Sequence, residues 1–323
     1  MTTHIKIFVI KAYRAFLIYA YRIVTIPFRS LITPQIKLNV IRCILKHNFL
    51  TKLYWFSGLY YLSLRQNLWN LNKNKLILIY QFGRVGSTTV YNSLKTVGMN
   101  VYKIHWLNRD LLKKHLKEKQ LKNRDSYLHI YLSEVAFLNR CLEKGLDQKK
   151  LKLISLVREP VARNVAAFFR QFLFRFAHKS NTNQITCENL RDLFQKNWIK
   201  HDVPLIWFDM EMKPIFKIDV YSEEFSKSKG YKIYTGDHPD LLLIKLEKLN
   251  KCASEAFKEF LGIDGIILQN ANLERDGPYY SLYRKFTSSK TLPRSYIEKM
   301  YNSKYAKHFY TEEELNIFRK KWS

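Results

Sequence analysis

From Met1 to Arg109 the chain has no Asp or Glu, and the first acidic residue is Asp110. The same stretch carries sixteen Lys and Arg, so a third of the chain holds more than half of the net charge of +28. Glycine and proline are scarce, 10 and 8 in 323 residues, which excludes collagen-like and linker-like chains. The four cysteines (Cys43, Cys141, Cys187, Cys252) form no close pair. The spacing of a zinc site is therefore missing and no disulfide framework is implied, so a reducing compartment is expected. Long apolar runs are missing too. A membrane-spanning helix needs about 18–20 uncharged apolar residues, and the longest charge-free stretch within the first 75 residues, Leu53 to Leu64, has twelve. Lys6, Lys11 and Arg14 interrupt the segment from Ile5 to Tyr21. No clear small-residue cleavage site follows, which disfavours a secretory signal peptide.

Hydrophobic residues make up 47% of the chain and charged residues 25%, a globular balance that excludes an intrinsically disordered chain. The length suits one large domain or two small ones. A charge of +28 calls for an anionic counterpart: nucleic acid, an acidic membrane or a small polyanion. Residues 1–75 form a basic, aromatic-rich segment expected to be helical. At about 100° per residue, Lys11, Arg14 and Arg22 share one face while Phe8, Ile10, Phe16, Leu17, Tyr19 and Tyr21 cover much of the rest. Two readings stay open: a helix lying in an anionic leaflet, or a helical cap on the following domain.

Residues 76–323 alternate between strand and helix patterns, which predicts an α/β fold with a mostly parallel central sheet flanked by helices. Leu76–Tyr80 is a continuous apolar run, as in a strand covered on both faces. A glycine turn follows, then a helix closed by Gly98. Asn100–Trp106 reads as a second strand, Asn108–Lys122 as a helix, Tyr127–Leu132 as a strand and Glu134–Leu146 as a helix. Leu151–Val157 is another buried strand, and Pro160 suits the first turn of the helix after it. Tyr231–Tyr234 and Leu241–Lys245 are further strands. Thr311-Glu312-Glu313-Glu314 is a capping box that opens a last helix ending near Trp322.

Two short segments have the composition of phosphate sites. Gln81-Phe82-Gly83-Arg84-Val85-Gly86-Ser87-Thr88-Thr89 follows a buried strand and opens a helix. The first amides of a helix lack intrahelical acceptors, and the helix dipole favours an anion there. Gly86 lets backbone approach closely, Ser87, Thr88 and Thr89 offer hydroxyls, and Arg84 offers a two-pronged donor. The spacing is neither that of a Walker A loop nor GxGxxG, so a nucleoside triphosphatase is disfavoured and no metal is required. The bland alternative is a turn that only caps its helix. The second segment, Ser155-Leu156-Val157-Arg158-Glu159-Pro160-Val161-Ala162-Arg163, also ends a buried strand, where ligands of open α/β sheets gather. The alternative for Arg158 is a surface pairing with Glu159 or Asp202.

Arg84-x-Gly86-Ser87-Thr88 followed by Val157-Arg158-Glu159-Pro160-x-x-Arg163 resembles the sulfotransferases that use 3′-phosphoadenosine-5′-phosphosulfate (PAPS). The resemblance is closer still to a bacterial, sulfotransferase-like capsular polysaccharide synthesis family. It extends through QFGRVGSTTVYNSL, LISLVREPVARNVAAFF, WFDMEMKPIFKIDVY, LLLIKLEKL, YYSLYRKF and the tail from LPRSYIEKM onward, over roughly residues 75–323. It implies a P-loop-like sulfotransferase fold. PAPS would be the cofactor, held by Arg84, Val85, Gly86, Ser87, Thr88 and Thr89 at its 5′-phosphosulfate and by Arg158 at its 3′-phosphate. Two departures stand out. A Ser that the superfamily places eight residues after the Arg is Ala166 here, a loss of roughly ten- to a hundred-fold in affinity, for which Arg163, Arg284 or Lys285 would have to compensate. Arg84 stands where many relatives have Lys.

In sulfuryl transfer, Arg84 and the neighbouring amides would stabilise charge on the bridging oxygen, and a base would take the acceptor's proton. His105 is the expected base. It ends the second strand in Lys103-Ile104-His105-Trp106-Leu107, similar to a K-x-H-L segment of cytosolic sulfotransferases, and Lys103 shares its face by alternation. Asp209 and Glu211 are the alternative bases. The expected acceptor is a carbohydrate hydroxyl, with Trp198, Trp207, Tyr279, Tyr280 and Tyr283 as sugar-stacking or core aromatics. The expected location is cytoplasmic, peripheral on the inner membrane through the N-terminal segment. A nucleic-acid-binding protein is the competing reading, although no recognition helix, RNP or zinc pattern is present. A catalytically inactive, membrane-attached scaffold is the other.

Overall fold

The structure, a computed structural model, describes residues 76–108, 150–176, 186–269, 278–289 and 292–323, with isolated positions between 111 and 142. The chain divides into two compact units, residues 1–71 with 113–146 and residues 72–112 with 147–323. The described residues lie almost wholly in the second. The basic N-terminal segment and the strand expected over Tyr127–Leu132 lie outside the described residues. So does most of the two helices expected between Asn108 and Leu146, although Leu111, Val135, Leu138, Asn139 and Leu142 are described and helical.

The second unit is a mixed α/β structure around a five-stranded sheet of order β2-β1-β3-β5-β4. Strands β1 (Leu76–Tyr80), β2 (Val101–Ile104), β3 (Leu151–Val157) and β5 (Asp240–Lys245) run parallel. Strand β4 (Tyr231–Tyr234) pairs antiparallel with β5 at one edge. Every residue of β1 is buried, and so are all but one each of β3 and β5. The unbroken apolar run LILIY, and LKLISLV with only Lys152 and Ser155 among its apolar residues, suit strands covered on both faces. Leu78 sits between Tyr102 on β2 and Leu153 on β3. From β1 the chain winds through helix α1 (Ser87–Thr96) to β2 on one side, whereas β3 lies on the other. The carboxyl ends of β1 and β3 therefore border the point where the winding reverses, the usual ligand crevice of an open α/β sheet.

Helix α2 (Pro160–Phe176) starts at its proline as expected, and α3 (Cys187–Trp198) follows. Phe168 and Phe169 of α2 pack against Phe194 of α3, Phe286 and Tyr283. Phe286 and Tyr283 belong to α7 (Pro278–Ser288), reached after α4 (Val203–Trp207), α5 (Lys213–Phe216) and α6 (Leu249–Leu261). The chain closes with α8 (Arg294–Tyr301), α9 (Lys304–Phe309) and α10 (Glu312–Trp322). The expected capping box is complete: Thr311 Oγ1 accepts from the Glu314 amide, and Glu314 Oε2 accepts from the Thr311 amide. Trp198 and Trp207 are buried and belong to the core rather than to a sugar-stacking surface. Among the described residues, no helix is long and apolar enough to cross a membrane.

Residues Phe208–Met212 form a π-helical turn, where the motif FDMEM reads as one face of an ordinary helix. Wide turns of this kind are rare and often occur at functional sites. This one turns Glu211 fully inward and leaves Asp209 exposed.

Candidate functional site

The two turns meet. Arg158 Nη1 donates to the Arg84 carbonyl oxygen at 3.0 Å. Arg163 Nε donates to the Gly83 carbonyl oxygen at 2.9 Å. The surface pairings considered for Arg158 are not formed. The Glu159 carboxylate accepts from the Val161 and Ala162 amides, the Tyr301 hydroxyl and Trp322 Nε1, while Asp202 pairs with Lys299. Glu159 thus caps the helix it opens, which satisfies amides that have no intrahelical partner. Burial raises its pKa despite those donors.

Helix α1 begins differently. Its N-cap is Gly86, no side chain caps its first amides and its first turn carries no acidic residue. The Thr89 amide donates to the Gly86 carbonyl at 3.1 Å, and the amides of Ser87 and Thr88, with the dipole, suit an anion. Arg84 holds φ +75 and Gly86 φ +82, so the turn passes twice through the left-handed region. For an arginine that conformation is uncommon, and it costs of order 1–3 kcal/mol. A Cβ on Gly86 would stand 2.4 Å from Leu246 Cδ1. Leu246 can move, but the positive φ cannot be kept cheaply by a side chain. Gly86→Ala is therefore expected to destabilise the protein by about 1–2 kcal/mol, measured as a lower midpoint in chemical denaturation.

The second strand adds Lys103, whose Nζ donates to Thr88 Oγ1 at 3.0 Å, and His105. His105 Nδ1 lies 2.9 Å from the Gln81 carbonyl oxygen. A carbonyl only accepts, so Nδ1 carries the hydrogen and Nε2 is the basic nitrogen. Nε2 faces the first turn, since a Cβ at Gly83 would lie 3.8 Å from it. The positive field is felt by the groups inside it. Burial first, with Lys103, Arg163 and Arg84 adding to it, lowers the His105 pKa to about 4 against the Gln81 hydrogen bond. Burial also lowers the Arg163 pKa to about 9, with Arg84 and Arg158 adding to it. Two guanidinium groups, a nearby ammonium and an uncapped helix N-terminus form a site suited to more than one negative charge.

Arg163, expected to bind cofactor, is buried and turned to the back of the first turn. Besides Gly83 it meets Asn164 Oδ1 at 3.0 Å and His201 Nδ1 at 3.3 Å. Its place makes it a clamp on that turn. Val85, Ser87 and Thr89 are buried within the turn and first helical residues, and Thr88 is half-buried. Ala166 is half-buried on α2. Arg284 and Lys285 are exposed on α7, where Arg284 lies over the Tyr280 ring, and no contact joins them to either turn.

Several contributors are not apparent from the sequence. Tyr305 Oη accepts from the Arg158 amide at 3.0 Å and donates to the Arg158 carbonyl at 2.8 Å, so one hydroxyl fixes the two successive peptide groups that flank the Arg158 Cα. Glu247 Oε1 accepts from the Glu159 amide at 2.7 Å. Trp207 Nε1 donates to the His105 carbonyl at 2.9 Å. Glu211 Oε2 accepts from the Tyr80 hydroxyl and from the Leu107 and Asn108 amides. Burial raises the Glu211 pKa. Glu211, considered as a base, thus holds the chain just past His105.

A family model described as "NKWYS: Putative capsular polysaccharide synthesis protein" matches residues 178–311. No curated protein and no solved structure matches the chain. The matched stretch begins after both arginine turns. It contains Trp207, Glu211, Leu246, Glu247 and Tyr305, the residues that pack against or hydrogen-bond to those turns and the His105 segment.

Proposed function

We propose that this protein is a sulfotransferase that uses PAPS to sulfate a hydroxyl of a glycan in the synthesis of a surface or capsular polysaccharide. The observation that carries this reading is the Arg158–Arg84 contact, which joins two arginine turns at the carboxyl ends of adjacent parallel strands. The five-stranded, mostly parallel sheet supports the finer assignment to a P-loop-like sulfotransferase fold. The matched family supports a place in polysaccharide synthesis.

The residues present suit a nucleotide with phosphate at both ends. The amides of Ser87 and Thr88 and the Arg84 guanidinium would hold the 5′ end, and Arg158 the 3′-phosphate. When bound, PAPS supplies the sulfuryl group. Arg84 and the amides of Ser87 and Thr88 would stabilise the negative charge that the departing nucleotide takes up. Neutral His105 accepts the proton of the acceptor hydroxyl at Nε2, and Lys103 adds positive charge beside Thr88. Ala166 brings no hydroxyl to the site, and Arg163 faces Gly83, Asn164 and His201 instead.

Calorimetric titration with adenosine 3′,5′-bisphosphate tests the reading. Binding in the micromolar range is expected, weakened about ten- to a hundred-fold in Arg158→Ala through loss of charge-assisted bonds. A folded chain that does not bind the nucleotide overturns the proposal. Salt-sensitive binding to random oligonucleotides that the nucleotide does not displace would favour the nucleic-acid reading.

A further inference from the structure

We infer that Gln81 is the positioning residue that fixes the ring of His105, holding the proton on Nδ1 and turning Nε2 toward the arginine turn. The inference rests on the reading of His105 as the base. Gln81 follows β1 directly and is fully buried. It approaches the imidazole twice: its carbonyl oxygen lies 2.9 Å from Nδ1, and its side-chain amide lies 3.2 Å from the same atom. The backbone oxygen is held in place because the Gln81 amide donates to the Ile104 carbonyl at 3.4 Å, continuing the β1–β2 pairing.

The side chain then has one consistent orientation. With a hydrogen on Nδ1, an amide NH₂ beside it would set donor against donor. The two ends of a glutamine amide have the same shape, and Oε1 on its other side is buried without a partner. Turned toward the ring, Oε1 shares the Nδ1 proton with the backbone oxygen. Two acceptors on one nitrogen exclude the other tautomer, leaving the lone pair on Nε2. That atom faces Gly83, where a built Cβ would lie 3.8 Å from it. From the opposite side, Trp207 holds the His105 carbonyl, and Glu211 holds the two amides after Trp106. Among the described residues, the charges that act on the ring come from Lys103, Arg163 and Arg84, all cationic. Gln81 therefore supplies orientation without a negative charge.

Nitrogen-15 NMR of the ring tests this on the intact chain without cofactor. The wild type is expected to show His105 as the neutral Nδ1–H tautomer. Gln81→Glu puts a carboxylate against the Nδ1 proton and is expected to raise the ring's titration midpoint by about one to three pH units, ten- to a thousand-fold in proton affinity. Gln81→Met keeps the volume, removes the second acceptor and is expected to admit the Nε2–H tautomer. Wild-type His105 found mainly as Nε2–H overturns the inference, as does Gln81→Glu with an unchanged midpoint. If Gln81→Glu does not fold, the wild-type and Gln81→Met spectra still decide. The outcomes separate from those of the sulfotransferase reading. A correct tautomer without nucleotide binding defeats that reading alone, and nucleotide binding with the wrong tautomer defeats the role of Gln81 alone.

Discussion

Glu314→Ala is expected to destabilise the protein by about 3–5 kcal/mol, because it strands a buried charge. The Lys245 side chain is 0% exposed, and its ammonium lies 2.7 Å from each oxygen of Glu314. The Tyr310 ring lies 4.6 Å away, and the Phe309 carbonyl accepts at 3.4 Å. Neither replaces a carboxylate. The same substitution removes half of the α10 capping box. Lys245→Met should cost much less, since Glu314 is 25% exposed and can turn to water while the thioether fills the cavity. Urea denaturation of both variants checks this. The sign of the pH dependence is fixed as well. Burial already lowers the Lys245 pKa, and losing Glu314 removes the largest influence that raises it. The unfolded Glu314→Ala chain then binds more protons than the folded one as pH rises toward the ordinary lysine range. Its deficit relative to wild type should narrow with rising pH. A deficit below about 1 kcal/mol would show that the pair carries little.

His105→Ala is expected to lower turnover about 10²–10⁴-fold, the usual contribution of a positioned base, while leaving affinity for adenosine 3′,5′-bisphosphate nearly unchanged. Arg158→Ala should show the opposite pattern. The pH profile carries more information than the size of the loss. With the ring pKa held near 4 by burial and the cations around it, the base is already unprotonated throughout the ordinary histidine range. The acid limb of kcat/KM should therefore fall well below pH 6.5, toward 4. Stability follows the same sign. A histidine whose folded pKa lies below its unfolded one contributes fully above about 6.5 and loses that contribution as pH falls toward 4. An acid limb near 6.5 in the wild type, or full activity in His105→Ala, would remove His105 from the chemistry and return attention to Asp209 or Glu211.

The parts of the fold visible in the sequence are those that local chemistry determines. LILIY and LKLISLV announce buried strands through their shortness and the Gly or Pro that follows each, since apolar content alone would also fit a buried helix. The arginine turns announce themselves through Gly, Ser and Pro at positions where backbone geometry demands them. The strand after Asn100 formed only over Val101–Ile104, because Trp207 and Glu211 take over the backbone groups that follow. No local pattern gives that away: Leu107 and Glu211 are 104 residues apart, and Tyr305 is 147 from Arg158. The direction of Arg163 is equally hidden: it is set by the Gly83 carbonyl in the other turn, 80 residues away in sequence. For Arg284 and Lys285, exposed on α7, positive charge in the sequence carries no position.

The bond from Trp322 Nε1 to Glu159 Oε2 has a practical consequence. Trp322 is anchored at the carboxylate that opens helix α2, beside Arg158. A protein trimmed by even its final dozen residues would lose that indole and the Lys245 partner together. A nick in the last helices should be felt first at those two contacts, as a lower midpoint in urea denaturation.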